Sequence, residues 1–200
     1  MRNYFSAALC LTTLILGFAA CDNAPQMPKP STYMRLEVLP AKFITFNQSQ
    51  YPFTFEYSSA AQTEFLDSPS SIAKWFNLHY AKYNFTVNVS WIKLTADTSL
   101  YASVNDCYTF LKRHEKLSGG IVQRDYQNPG KHLYGTVFEI KGRDVVSPYQ
   151  FYLTDSLHNF VRVALNCDIV PNNDSCAVVV EQIKKDLQHM INTFEWKTSQ

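Results

Sequence analysis

The sequence predicts an α+β fold: a single domain made of a mostly antiparallel β-sheet with two amphipathic helices packed on it. Three observations predict it. From Met34 onward apolar residues recur again and again at every second position, the period of a half-buried strand. Two stretches, near residues 100–111 and 176–194, instead carry them every third or fourth position, the period of a helix face. The strands also follow one another without the regular helical crossovers that a parallel sheet requires.

Taken in order, Leu36 and Val38, then Phe43 and Ile44 after Pro40, are strand-like. Phe53, Phe55 and Tyr57 alternate with Thr54 and Glu56. Residues 58–71 are small and polar around Pro69 and read as a loop. Residues 75–80 and 85–94 form a hairpin about Tyr83-Asn84, with Phe85, Val87, Val89 and Trp91 alternating with Thr86, Asn88 and Ser90. Leu100, Val104, Cys107 or Tyr108, and Leu111 share a helical face, and Ser118-Gly119-Gly120 ends that helix. Strands follow at 121–126, 133–141, 147–154 and 160–166, separated by polar or glycine-containing turns. The last helix opens at N-cap candidates in Asn172-Asn173-Asp174-Ser175. Its stripe of Cys176, Val180, Ile183, Leu187, Met190 or Ile191, and Phe194 requires one buried face.

The N-terminus speaks to location. Arg2 and the free amine precede an uncharged run, Ala7–Ala20, of fourteen residues. That is short of the roughly 20 a spanning helix needs and fits the apolar region of a signal peptide. The run closes in Phe18-Ala19-Ala20-Cys21, small residues before a cysteine, as in a bacterial lipoprotein cleavage site. Residues 1–20 are then a lipoprotein signal peptide and Cys21 the acylated first residue of the mature chain. The alternative is an ordinary secretory signal cut near Ala19. Residues 21–32, with three prolines among polar residues, form the lipidated N-terminus and tether, and residues 33–197 the globular domain.

Charge excludes one class of function. The 200 residues hold 18 Lys+Arg against 17 Asp+Glu, too even for a nucleic-acid binder. Loss of Arg2 with the signal leaves a formally neutral mature chain of 17 against 17. A mean hydropathy of −0.20 excludes a polytopic membrane protein.

Little catalytic chemistry is visible. The five histidines, His79, His114, His132, His158 and His189, have no partners at zinc-site spacing, and no nucleophile elbow, phosphate loop or dinucleotide fingerprint occurs. Asp155-Ser156-Leu157-His158 contains all the triad residue types. Four successive residues between two strands read as a turn, since triad members must converge from separate elements. Trp75, Trp91 and Trp196 could line a sugar platform, but the first two sit within apolar alternation and read as sheet residues. Cys167 and Cys176 could be bridged across a short loop; Cys176 could instead be a reactive thiol at a helix start, or both could be reduced. Cys107 reads as a core residue.

An ordered set of segments carries a family resemblance. It comprises Pro28-Lys29-Pro30 with Tyr33-Met34-Arg35-Leu36, Pro52 to Tyr57, Trp75-Phe76-Asn77-Leu78, Asp106 with His114, and Tyr134-Gly135. Gln150 to Ser156, Pro171 to Ser175 and Phe194-Glu195-Trp196-Lys197 complete it. In these the chain resembles the gliding-motility lipoprotein GldD family of Bacteroidetes; the order of elements is similar to PsbP/Mog1-like α+β domains. The resemblance implies a lipid-anchored cell-envelope protein that faces the periplasm and is required for gliding motility, a process linked to type IX secretion. It implies no catalytic residue and transfers only Cys21 as a functional position. Cys107 and Cys176 stand where the family has serine and leucine, which argues against an essential redox role.

The expected protein is not an enzyme and takes no cofactor, metal, small-molecule ligand or nucleic acid. Its partners are the membrane, through acyl chains on Cys21, and other envelope proteins of gliding and secretion. Tyr33, Tyr51, Tyr126 and Tyr149 fall outside the strand alternation and are the expected interaction surface. The alternative reading is a periplasmic ligand-binding domain or hydrolase with an aromatic-lined cleft.

Overall fold

The computed structural model describes residues 42–197 apart from 69, 97, 117, 143–144 and 169–172. The expected signal peptide, Cys21, the expected tether, Tyr33 and the strand expected through Leu36 and Val38 lie outside the described residues. Within them, two meanders meet in one seven-stranded antiparallel sheet of order β3-β4-β5-β9-β8-β7-β6. Its members are β3 (Gln62–Leu66), β4 (Ala73–Tyr80), β5 (Phe85–Lys93), β6 (Gly120–Asn128), β7 (Leu133–Lys141), β8 (Tyr149–Thr154) and β9 (Asn159–Cys167). A small sheet of order β1-β2-β10 joins β1 (Phe43–Phe46), β2 (Phe53–Ser58) and β10 (Glu195–Trp196). The helices are α1 (Leu100–Glu115) and α2 (Asn173–Thr193). The meanders are joined along the centre by β5 and β9, in register from Phe85↔Cys167 to Lys93↔Asn159.

Two hairpins are closed in the same way. A 3₁₀ turn, Ala81–Tyr83 or Pro129–Lys131, ends in a left-handed residue, Asn84 (φ 56°) or His132 (φ 48°), whose N–H bonds back to the turn's first carbonyl. Asparagine and histidine tolerate that conformation better than most side chains.

Alternation gives the large sheet two different faces. Phe76, Leu78, Val87, Val89, Phe151, Leu153, Val163 and Leu165 point inward, where α2 and the small sheet cover them in one core. Rings dominate that core: Phe46 stacks on Phe55 at 4.7 Å and on Phe76 at 4.6 Å, and Phe53 stacks on Phe194 at 5.1 Å. The outer face carries α1, which packs Leu111, Cys107 and Tyr108 over Phe138, Ile140 and Phe160. Both helices therefore lie on the sheet, on opposite faces.

Polar groups tie α2 in place. Tyr80 Oη and Gln182 Nε2 donate to buried Asp186 at 3.2 and 3.0 Å. Burial holds that carboxyl above the usual aspartate range, while hydrogen bonds from Gln182, Tyr80 and Ser58 pull it back. At the helix's flank Lys184 Nζ bonds Glu139 of β7 at 2.8 Å. Lys184 first and Arg124 after it hold the Glu139 carboxyl low, against a smaller effect of burial.

Three expectations are corrected. The polar stretch 58–71 contains the edge strand β3, whose residues are mostly exposed; its two apolar members, Phe65 and Leu66, are adjacent, so no period-two alternation betrays it. Tyr51 is 2% exposed because its ring packs among Phe46, Phe53 and Phe76, and Tyr149 is 5% exposed because it is an inward member of β8. Neither belongs to a surface. Tyr126 is half-buried against the same core.

Gly135 sits where β7 approaches β8 most closely. A Cβ there would lie 2.0 Å from the Tyr152 carbonyl oxygen, a backbone atom that cannot turn aside. Gly135→Ala is expected to cost about 3 kcal/mol, read as a lower urea midpoint for the intact chain.

Candidate functional site

The triad-like cluster resolves into a turn. Asp155 Oδ1 accepts the backbone N–H groups of Leu157, His158 and Asn159 at 3.0, 2.7 and 2.8 Å, and Oδ2 accepts the Asn159 side-chain amide at 2.7 Å. Burial would raise this carboxyl, but those donors outweigh it and hold it below the usual aspartate range. Ser156 takes a left-handed conformation (φ 71°) and His158 is 74% exposed, with Nδ1 4.0 Å from Asp155. Four hydrogen bonds to the carboxylate go into closing the β8–β9 hairpin. The three residues do not assemble as nucleophile, base and orienting acid.

The turn forms one wall of a cleft of about 580 Å³, with Lys131, His132, Leu157, His158, Trp196 and Lys197 among its lining. Its cations already have partners. Lys131 Nζ pairs with Glu195 at 3.0 Å and donates to the Asn192 carbonyl at 3.2 Å, and Lys197 Nζ donates to the Gln48 carbonyl at 2.7 Å. Trp196 is held by β10's pairing to β2, by edge contacts to Phe53 and Phe194, and by its indole donating to the His132 carbonyl at 3.2 Å.

Among the described residues the cysteines are free thiols, with Cys107 and Cys167 buried and Cys176 half-buried. Burial pushes Cys107 up to about 11, in keeping with a core residue. Burial and neighbouring Cys167 both raise Cys176, the opposite of what a thiolate nucleophile needs. Among the described residues no three His, Cys, Asp or Glu side chains are grouped to hold a metal.

The outer face of the sheet beyond α1 presents the most organised polar surface. Registers across β3, β4, β5 and β9 set three rows side by side: Leu66–Trp75–Ser90–Arg162, Glu64–Asn77–Asn88–Ala164 and Gln62–His79–Thr86–Asn166. Hydrogen bonds run through them with one polarity. Asn166 donates to Asn88, Asn88 Nδ2 to Asn77 Oδ1 at 2.7 Å, and Asn77 Nδ2 to Glu64 Oε2 at 3.0 Å. His79 Nε2 meets the same Glu64 oxygen at 2.7 Å, its Nδ1 lies 3.0 Å from Thr86 Oγ1, and Thr86 donates to Asp168 at 2.7 Å. His79 thus bridges Glu64 of β3 and Thr86 of β5. The bonds from His79 and Asn77 hold the Glu64 carboxyl low. Sequence reasoning missed this surface, although its members are the polar halves of the alternating strands.

Comparison with known proteins agrees with the sequence resemblance. The family model described as "Gliding motility lipoprotein GldD" matches residues 23–196. None of the curated proteins matches the chain. Among solved structures, the solution structure of cyanobacterial PsbP (CyanoP) from Synechocystis sp. PCC 6803 is similar at 12% identity and a TM-score of 0.49, over 80% of this chain and 95% of that one.

Asp155 supplies the test of the turn. Asp155→Ala strands three backbone N–H groups and is expected to cost about 2 kcal/mol at neutral pH. A carboxyl depressed in the folded state stabilises fully above the unfolded aspartate value of about 3.9 and ceases to do so as pH falls through the folded value. The gap between wild type and Asp155→Ala in urea midpoint is therefore expected to narrow on acidification to about pH 3.

Proposed function

The chain belongs to the GldD family of gliding motility lipoproteins, and from that membership we propose that it acts as a lipid-anchored, non-enzymatic interaction protein of the motility machinery. The observation that carries the anchor is the uncharged run ending in Ala19-Ala20-Cys21. Acylation of Cys21 would hold the domain at the membrane, each buried methylene contributing about 0.8 kcal/mol, so that two or three chains amount to lasting attachment. Among the described residues no helix is long and apolar enough to cross a membrane.

In this reading the tether lets a neutral domain face the periplasm and meet envelope proteins of gliding and type IX secretion, its anchor raising the effective concentration of those encounters. A formally balanced surface neither draws the domain onto anionic lipid nor repels it. What supports a role in contacts rather than turnover is the employment of Asp155: the carboxylate of the one triad-like cluster accepts four hydrogen bonds from its own turn.

Cells fed an alkyne fatty acid should label the wild-type chain and leave Cys21→Ala unlabelled and released from membranes. Complementation of a deletion strain with Cys21→Ala should fail to restore gliding. A deletion strain that glides and secretes normally refutes the proposal.

A further inference from the structure

The polar grid on the outer face of β3, β4, β5 and β9 has the build of a ligand floor, with four features that point to one class of ligand. The first is preorganisation. Asn77 and Asn88 each commit one amide hydrogen and accept one bond through their oxygen within the grid. Each keeps a second hydrogen and a second lone pair for a ligand, and the side-chain entropy that binding would otherwise cost is already spent.

The second feature is Trp75, one row away and directly opposite Ser90. Trp91 donates its indole N–H to Asn159 at 3.0 Å and Trp196 donates to the His132 carbonyl. Among the described residues half-buried Trp75 has no acceptor for its indole N–H and its ring stacks on no other ring. An apolar face with an unspent donor, beside a line of amides, suits a molecule with one apolar and one hydrogen-bonding surface.

The third is spacing. The rows run across the strands, so successive hydrogen-bonding groups are about 4.8 Å apart. That is close to the rise of one pyranose unit in an extended β-1,4-linked glycan, whose successive rings are turned over, so that equivalent edges recur at every second strand. The fourth is charge: Glu64 is already met by His79 and Asn77, so the floor presents amides and not free carboxylates. At the α1 side the Arg162 guanidinium lies 4.5 Å over the ring of Phe110, which is 37% exposed, and closes the floor with a raised wall.

We infer that this face binds a glycan strand rich in acetamido and hydroxyl groups, with the apolar face of one sugar on Trp75 and one acetamido group bridging Asn77 and Asn88, its oxygen accepting from one amide and its N–H donating to the other. The source committed to is the β-1,4-linked N-acetylhexosamine strand of peptidoglycan, the polymer adjoining a membrane-tethered envelope domain. This choice of source rests on the envelope reading above; the chemistry of the face does not. Each sugar unit would meet one strand, so the polymer would cross the sheet and not extend it.

The test uses the full acylated chain in detergent micelles, pelleted with purified sacculi and titrated with chitohexaose while tryptophan fluorescence is followed. Cosedimentation and saturable binding are expected. Trp75→Ala should weaken both at least about tenfold through loss of the ring face. Asn77→Ala combined with Asn88→Ala should act similarly, and Trp75→Phe should retain most of the binding. Leu157→Ser, in the separate cleft at the β8–β9 turn, should bind as wild type. Thermal melts identify which variants remain folded, and the Trp75→Phe and Leu157→Ser pair keeps the comparison meaningful if Trp75→Ala unfolds. The inference is overturned by absence of cosedimentation, by undiminished binding in folded Trp75→Ala, or by cellohexaose binding as tightly as chitohexaose. Failure of the anchor proposal would appear separately, as an unlabelled Cys21 in a chain that still binds sacculi.

Discussion

The stack of rings between the two sheets is the constraint on which the rest of the structure depends. Phe46 touches Phe55 within its own small sheet and Phe76 of the large one, and Phe53 and Phe55 carry the contact on to Phe194 at the end of α2. These rings are all essentially inaccessible to water. At roughly 2 kcal/mol or more for each ring buried, they outweigh any ion pair on the surface. They also set geometry, because ring pairs hold their preferred separations and a core at crystal density has no slack to let one sheet slide over the other.

Once the inner face is committed to that stack, the positions of the helices follow. α2 has one apolar stripe and must lie where the stripe is covered, along the small sheet and the inward side chains of the large one. Its polar flank then falls beside Glu139, and Asp186 is carried inside with Tyr80 and Gln182 as its donors. A buried carboxyl with fewer donors would be a liability, and here hydrogen bonds offset part of the burial cost. α1 finds the inner face occupied and packs on the outer one, over the β7–β9 end. One helix does not cover seven strands. The β3–β5 end is left bearing cross-strand hydrogen bonds in place of hydrophobic contacts.

That division explains why two kinds of candidate site fared differently. Asp155, Ser156 and His158 drew attention by residue type, and the local rule that Asp closes turns proved sufficient to account for them. The amide grid drew none, because Glu64, Asn77, Asn88 and Asn166 are far apart in sequence and unremarkable in their own strands. Only the register that sets Glu64 opposite Asn77 and Asn77 opposite Asn88 makes them a surface.

By itself the sequence determined the fold class, the long strands with their inward members, both helices and their apolar stripes, and the family. Those depend on period and order along the chain, which local backbone geometry imposes regardless of what packs against it. Tertiary structure decided which faces meet. It buried Tyr51 among rings supplied by β1, β2 and β4, and made Tyr149 an inward member of β8. It paired the exposed edge strand β3 to β4, drew Glu195–Trp196 onto β2 and aligned amides from distant strands. A strand's pattern records that one side is wet and the other dry. It does not record its neighbours, because hydrogen-bonded partners are chosen by global register and no residue carries that information alone.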